Sequence, residues 1–297
     1  HSVLKTSSGK IRRAASRAAY EAGALHGAPA VWWQVARLAL AAIFPQARRS
    51  LRQAADLAYG AYALVLLGLV GSATWIACAL LPRPDWCWRL SSRMCRLYLM
   101  LAGIRLSVHG VEHLPEGPCV LAVNHASFID GPVVLTALPA PMRFIAKREL
   151  LGHFVTRIYL KSIATSFVER FDTQRGVEDV ESFAETVRGG DSLIVFPEGT
   201  FRRAPGLRPF RMGAFVVAAR VGVPVVPLTL RGTRSVLRDG QWLFRRGPIS
   251  ATFGAPVEPQ GTDWAAALAL RDRTRAEILR RCAEPDLSEE ISFGPAA

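Results

Sequence analysis

Residues 120–130 read VLAVNHASFID, an apolar run typical of a buried strand, followed by a polar turn and the start of a helical pattern. His125 would lie where the strand ends, and Asp130 about one helical turn further on. A turn between them would bring the carboxylate back to the imidazole, fix the tautomer and leave the other ring nitrogen free as a general base. We expect Ser127 to cap the helix rather than act as a nucleophile. An ordinary solvent-exposed loop is the alternative, so the neighbouring signals matter.

The alternation of strand and helix patterns continues on both sides of this stretch. Such alternation predicts an α/β fold in which helices flank a mixed, mostly parallel sheet. Functional residues are then expected where strands end and helices begin. The predicted strands are 104–109, 119–123, 192–196 and 224–230, and the predicted helices are 128–138, 177–188, 211–221 and 264–281.

Three further strand ends contain polar or charged residues. The sequence Phe-Pro-Glu-Gly-Thr occupies 196–200, where Glu198 can accept hydrogen bonds from substrate hydroxyls or order neighbouring arginines. A turn with a capping glutamate is the alternative for this segment. Arg170 and Lys147 each follow a strand-like run, and the planar guanidinium of Arg170 suits a phosphate. Taken singly, either cation could be an ordinary surface charge.

Together, these residues resemble the lysophosphatidic acid acyltransferase family over about residues 95–280. The pattern Asn-His-x-Ser-x-x-Asp matches the first block of that family, Phe-Pro-Glu-Gly-Thr the third, and Val-Pro-Val-Val-Pro at 223–227 the fourth. The resemblance implies a His125–Asp130 base and an acyl-CoA or acyl carrier protein donor, with 1-acylglycerol 3-phosphate as the expected lysophospholipid acceptor. It also implies that the acceptor is held by Arg170, Glu198, Gly199 and Thr200, with Lys147 as an addition.

Two departures from the family pattern concern the acceptor. Thr165 and Ser166 stand where the second block usually has a glycine. Phe201 follows Glu-Gly-Thr where the family often has arginine, and Arg202 and Arg203 come only afterwards. Glycerol 3-phosphate, another lysophospholipid or a glycolipid therefore remain alternative acceptors. A non-catalytic membrane anchor is an alternative of another class, and the intact first and third blocks argue against it.

An apolar segment precedes this domain, and residues 57–81 contain no charged side chain. As a helix the run would be about 37 Å long, more than the roughly 30 Å of a hydrocarbon core. We predict that 25–96 is a membrane-associated helical region with 57–81 inserted in the cell membrane; a buried core helix is the alternative. Basic residues lie on both sides, so the positive-inside rule does not select an orientation. A hairpin with 30–45 as its other arm is one arrangement.

The charged residues and the cysteines of the chain indicate which kinds of binding partner to expect. The formal charge of +13 suits anionic partners such as lipid headgroups and phosphorylated substrates, although an arginine-rich composition alone would also produce it. We find no nucleic-acid recognition motif and expect no such partner. The five cysteines form no CxxC pair and no zinc-like spacing with histidine, which indicates reduced thiols and an active site on the cytoplasmic face. We expect no metal and no cofactor beyond the acyl-CoA or acyl carrier protein co-substrate.

The N-terminal residues resemble a second family. Residues 5–13 read KTSSGKIRR, similar to the closing motif of acyl-adenylate-forming ligases, such as acyl-CoA synthetases and fatty acyl-AMP ligases. In those enzymes the lysine that matches Lys10 contacts the carboxylate and the adenylate. We predict that 1–24 is the C-terminal remnant of an upstream ligase module fused to an acyltransferase domain at 97–282; a chance basic loop is the alternative. The last residues, 283–297, are predicted to form a loose tail.

Overall fold

A computed structural model describes residues 10–22, 31–168 and 173–288. The chain divides into two compact units, His1–Ala58 and Tyr59–Ala297. The first unit contains helix α1 (Arg13–Glu21) and the beginning of helix α2 (Val31–Leu80). Residues 5–9 of the N-terminal motif lie outside the described residues, and the predicted ligase remnant stays a prediction.

The second unit is an α/β domain built on a sheet that has seven strands within the described residues. The strands are β1 (Leu106–His109), β2 (Val120–Val123), β3 (Arg143–Lys147), β4 (Ser166–Val168), β5 (Leu193–Val195), β6 (Val225–Arg231) and β7 (Ile249–Phe253). The helices that follow α2 are α3 (Pro84–Leu101), α4 (Asp130–Ala137), α5 (Phe154–Ser162), α6 (Thr173–Arg188), α7 (Gly213–Val221), α8 (Thr233–Val236) and α9 (Trp264–Cys282).

The strand order is β1-β7-β6-β2-β5-β3-β4, and every neighbouring pair is parallel except β6 with β7. This topology confirms the predicted mixed, mostly parallel sheet flanked by helices. Because β2, β3, β4, β5 and β6 run in the same direction, their carboxyl ends meet at one edge of the sheet. The residues that follow β2 and β5 therefore come together in space.

Helices cover both faces of the sheet, and strand β2 shows why its sequence is continuously apolar. Leu121 and Val123 belong to one buried cluster, which includes residues of α2, α3 and α4. Val120 and Ala122 point the other way, into a second cluster with residues of α6, α7 and α9. A strand buried on both faces loses the polar alternation of a surface strand.

One stripe of helix α2 packs against this domain. Tyr59, Ala63, Thr74 and Cys78 are buried at spacings of whole helical turns, and three of them belong to the cluster on the α3 and α4 side of the sheet. The stripe extends over about 28 Å of helix. The uncharged part of α2 therefore lies along the domain for most of its length.

The other side of α2 carries exposed apolar side chains, among them Val65, Leu69, Ile76 and Leu80. Within the described part of the chain, Pro45–Leu80 is the helix segment that is long and apolar enough to cross a membrane, and most of it is exposed. This agrees with the predicted membrane-associated region. The hairpin arrangement, which concerns residues of both units, stays a prediction.

Three of the named elements were not predicted from the sequence: strand β7, helix α5 and the four-residue helix α8. Strand β7 alternates buried and half-buried residues, so the period-two signal was present in its short sequence. Helix α5 follows a 3-10 turn and has no fully buried residue, which leaves its apolar pattern weak.

The segment predicted as a loose tail is attached over its described part. The Leu287 main-chain N–H donates to the Leu207 carbonyl at 3.0 Å. Glu284 forms an ion pair with Arg234 at 2.8 Å between Oε1 and Nε. These contacts hold residues 283–288 against the domain, and the remainder of the tail lies outside the described residues.

Gly232 lies in the turn that joins β6 to α8, and its substitution tests how closely the chain approaches itself there. Its φ is +88°, and an added Cβ would lie 2.1 Å from the Pro248 carbonyl oxygen. Gly222 also has a positive φ, +76°, but no atom within 4 Å of an added Cβ. We expect Gly222→Ala to lower the free energy of unfolding by about 1–2 kcal/mol through backbone strain alone. Gly232→Ala should cost clearly more in chemical denaturation, and equal losses would contradict the close approach.

Candidate active site

The turn after β2 is fixed first by Asn124. Its side-chain Nδ2 donates to the Leu230 carbonyl at 3.0 Å, and its Oδ1 accepts from the Leu230 N–H at 2.7 Å. The buried amide thus replaces a main-chain partner and extends the pairing of β2 with β6. This orients the next residue, His125, and it is a contribution of Asn124 that sequence reasoning missed.

His125 and Asp130 are in direct contact. His125 Nδ1 lies 2.8 Å from Asp130 Oδ2, and the Asp130 side chain is fully buried while that of His125 is 19% exposed. The same Oδ2 accepts main-chain N–H bonds from Ala126 at 2.6 Å and Ser127 at 2.8 Å. One carboxylate oxygen therefore holds both the imidazole and the turn that presents it.

Ser127 does not cap helix α4, so that prediction is wrong. The helix begins at Asp130, its N-cap residue is Ile129, and no side chain caps it. The Ser127 hydroxyl instead donates to the Leu237 carbonyl at 2.6 Å. Burial of Ser127 makes this distant main-chain partner necessary, because an unpaired buried hydroxyl is costly.

Glu198 lies beside this turn, and each of its carboxylate oxygens accepts a hydrogen bond from a main-chain N–H group. Oε1 accepts from the His125 N–H at 2.7 Å, and Oε2 accepts from the Arg208 N–H at 2.9 Å. Burial raises the pKa of Glu198 to about 7, against the lowering effect of these two hydrogen bonds. The adjacent Gly199 has a φ of +76°, which suits the turn that directs Glu198 inward.

Aromatic rings enclose the imidazole. The Phe196 ring stacks on His125 with centroids 4.3 Å apart, and the Phe201 ring meets it edge-on at 4.5 Å. Phe128 in turn contacts Phe201 at 4.7 Å. Phe201, which stands where the related family often has arginine, thus forms part of the wall around the histidine.

A cavity of about 550 Å³ opens at His125. Its walls are mainly apolar and include Phe128, Phe144 and Phe183. Its cationic lining residues are Lys147 and Arg211. Asp179 also lines the cavity. Mainly apolar walls of this extent fit an alkyl chain, and the two cations against one acid favour an anionic group at one end.

The other predicted site residues are placed differently. Gly199 lines the cavity, whereas Glu198 and Thr200 do not. The Thr200 hydroxyl lies 3.4 Å from the Phe201 carbonyl, and Arg170 lies outside the described residues. Sequence reasoning missed Arg211 as a site residue, although it begins the predicted helix 211–221, which follows the Glu-Gly-Thr segment after ten residues. Within the described residues, no group of three or more His, Cys, Asp or Glu side chains could hold a metal ion.

Comparison with known proteins agrees with this architecture. A protein-family model described as Acyltransferase matches residues 105–231. The chain is 31% identical over 193 residues to human 1-acyl-sn-glycerol-3-phosphate acyltransferase alpha, covering 63% of this chain and 68% of the relative. It is 33% identical over 156 residues to a chloroplastic 1-acyl-sn-glycerol-3-phosphate acyltransferase of Brassica napus, covering 52% of this chain but only 45% of that relative.

A solved structure has the same fold. The crystal structure of a 1-acyl-sn-glycerophosphate acyltransferase from Thermotoga maritima superposes with a TM-score of 0.63 at 22% identity, covering 83% of this chain and all of that one. This match shows the fold, and the human relative, 31% identical with 68% of its length covered, shows that the chain belongs to the lysophosphatidic acid acyltransferase family.

Proposed function

We propose that the protein moves a fatty acyl group from a thioester to a hydroxyl of a lysophospholipid, with 1-acylglycerol 3-phosphate as the acceptor. The observation that carries this proposal is the contact of His125 with a buried Asp130 at the wall of an apolar cavity. The human and Brassica napus relatives are 1-acyl-sn-glycerol-3-phosphate acyltransferases, which supports the same acceptor.

In this mechanism, His125 is the general base. The acceptor hydroxyl gives its proton to the ring nitrogen that Asp130 does not contact, while the oxygen attacks the thioester carbonyl carbon and forms the new C–O bond. Asp130 stabilises the resulting imidazolium. Collapse of the tetrahedral intermediate breaks the C–S bond, and the departing thiolate takes the proton back. Ser127 is not needed as a nucleophile, since its hydroxyl is used by the Leu237 carbonyl.

The acceptor phosphate would be held by the cations at this edge of the sheet. Lys147 and Arg211 line the cavity, and we propose that Arg170, which follows β4, joins them. Guanidinium groups bind phosphate oxygens through paired, charge-assisted hydrogen bonds. Gly199 and Thr200 would shape the turn that faces the glycerol. The donor is acyl-CoA or acyl carrier protein, and no metal or cofactor takes part.

For Glu198 we propose a positioning function instead of direct contact with the acceptor. Both of its oxygens accept from main-chain N–H groups, one of them that of His125. The carboxylate therefore links the end of β2 to the segment after β5. Movement of this link would displace the base without changing the groups that bind the phosphate.

Membrane attachment would follow from α2. Its buried stripe packs along the domain, and its opposite side exposes residues such as Val65 and Leu69, so we propose that it lies in the membrane surface beside the site. We place the site on the cytoplasmic face, where thioester donors are found. The five cysteines are free thiols, which suits that side.

We also propose that an adenylate-forming ligase module precedes this domain in the parent polypeptide. The proposal rests on the resemblance of residues 5–13 to the closing motif of those enzymes. Such a fusion would couple acyl activation to acyl transfer. Sequencing of the coding region upstream would test it, and an unrelated upstream sequence would contradict it.

The reaction is tested by incubating detergent-solubilised protein with labelled long-chain acyl-CoA and a panel of lysolipids, repeated with acyl carrier protein as donor. We expect transfer to 1-acylglycerol 3-phosphate, and His125→Ala should lower the rate by about 10²–10⁴-fold. His153→Ala is the matched control, because His153 is exposed and does not line the cavity. Transfer to another acceptor would keep the proposed mechanism but contradict the proposed acceptor. No transfer from either donor would favour the alternative of a non-catalytic membrane anchor.

Asp130→Asn should impair both activity and stability. An amide cannot accept from three N–H groups and stabilise an imidazolium as a carboxylate does, and its NH₂ group would occupy the place of Oδ1, which is buried without a hydrogen-bond partner in the described structure. We expect a loss of at least about 10²-fold in rate and roughly 1–3 kcal/mol in unfolding free energy. A variant as stable as the wild type would contradict the turn-holding function.

Glu198→Gln should lower kcat by about tenfold or more while the KM for the acceptor changes little, because the base moves and the phosphate groups do not. A raised KM at unchanged kcat would instead indicate contact with the acceptor.

Glu198→Gln should also change the pH dependence of the unfolding free energy. Between about pH 4.5 and 7, the folded wild type keeps a proton on Glu198 that the unfolded chain releases, so its unfolding free energy falls as pH rises. Denaturation across that range should show this fall weakened in the variant.

A further inference from the structure

The turn between α8 and β7 carries an exposed tryptophan. Trp242 is 82% exposed, the highest value among the large apolar side chains of the described residues, and Leu243 beside it is 37% exposed. A tryptophan fully in water is unusual for a position that has no contact to make, because it carries a large apolar surface. The catalytic proposal does not use this turn.

The turn is firmly held at its base, so Trp242 is presented by an ordered element. Phe244 is 2% exposed and meets the Tyr98 ring edge-on with centroids 5.8 Å apart. The Arg245 N–H donates to the Val236 carbonyl at 2.8 Å. Trp242 is therefore held in the exposed position by a turn that is anchored at Phe244 and Arg245.

The same turn abuts the beginning of the apolar part of α2. A Cβ on Gly60 would lie 2.9 Å from the Leu243 Cβ, which shows how closely the two elements approach. The Arg246 guanidinium lies over the Tyr59 ring, 4.8 Å from its centroid. Asp56 is the last charged residue before the uncharged run 57–81. Trp242 therefore lies near the position along α2 where the charged part ends and the uncharged part begins.

The chemistry of this tip matches one partner, the headgroup region of an anionic bilayer. Tryptophan concentrates at membrane interfaces, where its apolar body and polar N–H are both satisfied. Residues 238–246 contain Arg238, Arg245 and Arg246 against the single acid Asp239, so the segment carries a net positive charge that attracts anionic lipids. Leu243, beside Trp242, also lies against α2 at Gly60, near one end of the uncharged run 57–81.

We infer that residues 238–246 form a second membrane contact, with Trp242 and Leu243 at headgroup depth in an anionic lipid surface and the arginines beside them. The inference rests on the proposed attachment through α2 and extends it. With two contacts, one a helix and one a turn, the domain is held in a defined orientation. The mouth of the His125 cavity then keeps a constant height above the lipid.

The test measures the lipid exposure of single positions in the full chain, reconstituted in vesicles of phosphatidylcholine and phosphatidylglycerol. Trp242→Cys, Leu69→Cys and Trp264→Cys each carry one environment-sensitive fluorophore, and the unsubstituted chain provides the labelling background. Leu69 reports the exposed side of α2. Trp264 is the matched control, since it is 63% exposed but begins α9, on the other face of the sheet. Quenching by a lipid spin-labelled near the headgroup is compared with quenching by aqueous iodide.

We expect lipid quenching at 242 and 69, and iodide quenching at 264. A label at 242 that is quenched by iodide as strongly as the one at 264 would overturn the inference. If 69 remains lipid-quenched in that case, the attachment through α2 survives; if it does not, that attachment fails as well. Loss of iodide quenching at 242 without lipid quenching would indicate contact between copies of the chain, and would also overturn it.

As a second measurement, Trp242→Ser should reduce the fraction of protein bound to these vesicles severalfold, whereas Trp264→Ser should leave it unchanged. Omitting phosphatidylglycerol should reduce binding of the wild type, because the arginines lose their anionic partners. Equal binding by both variants and the wild type would contradict a lipid contact at Trp242.

Discussion

The carboxylate of Asp130 is the constraint on which the site depends. Burying a charged carboxylate is costly unless hydrogen bonds replace its water, and here one oxygen accepts from the His125 ring and from two main-chain N–H groups. Its position in the first turn of α4 adds the favourable field of the helix N-terminus. The Asp130 side chain therefore joins the turn, the start of the helix and the imidazole to one another.

Glu198 extends this constraint to a neighbouring strand. It joins the main chain at His125 to the segment that follows β5, so two loops at the same sheet edge are tied to each other. Asn124 ties the same turn to β6 through a buried amide. The base is thus held through its main chain on two sides and through its ring on a third. Such support keeps a catalytic group within the narrow geometric range that proton transfer needs.

Local patterns in the sequence were sufficient for the fold class and for the contact of His125 with Asp130, because both depend on residues close together in the chain. Partners distant in sequence were not predictable. Ser127 was expected to cap a helix, yet its hydroxyl is used by Leu237, 110 residues away. Likewise, nothing local to Glu198 indicated that its oxygens would face the main chain of His125 and Arg208.

The apolar run in α2 shows a similar limit. Its composition predicted membrane contact, but hydropathy does not distinguish a side that faces lipid from a side that packs on protein, since Ala63 and Cys78 are as apolar as many exposed neighbours. Only the fold shows that one stripe of the helix belongs to the core. The position of Trp242 near the start of that apolar run is likewise a tertiary feature.

The tautomer of His125 tests the account most directly, and ¹⁵N NMR of histidine-labelled protein in detergent measures it, with His125→Gln used to assign the signal. A protonated Nδ1 directed at Asp130 and an unprotonated Nε2 at neutral pH are the predicted result, since only that form leaves the outward nitrogen able to accept a proton. The Asp130→Asn variant should lose this preference. A neutral ring with its proton on Nε2 in the wild type would contradict the general-base assignment.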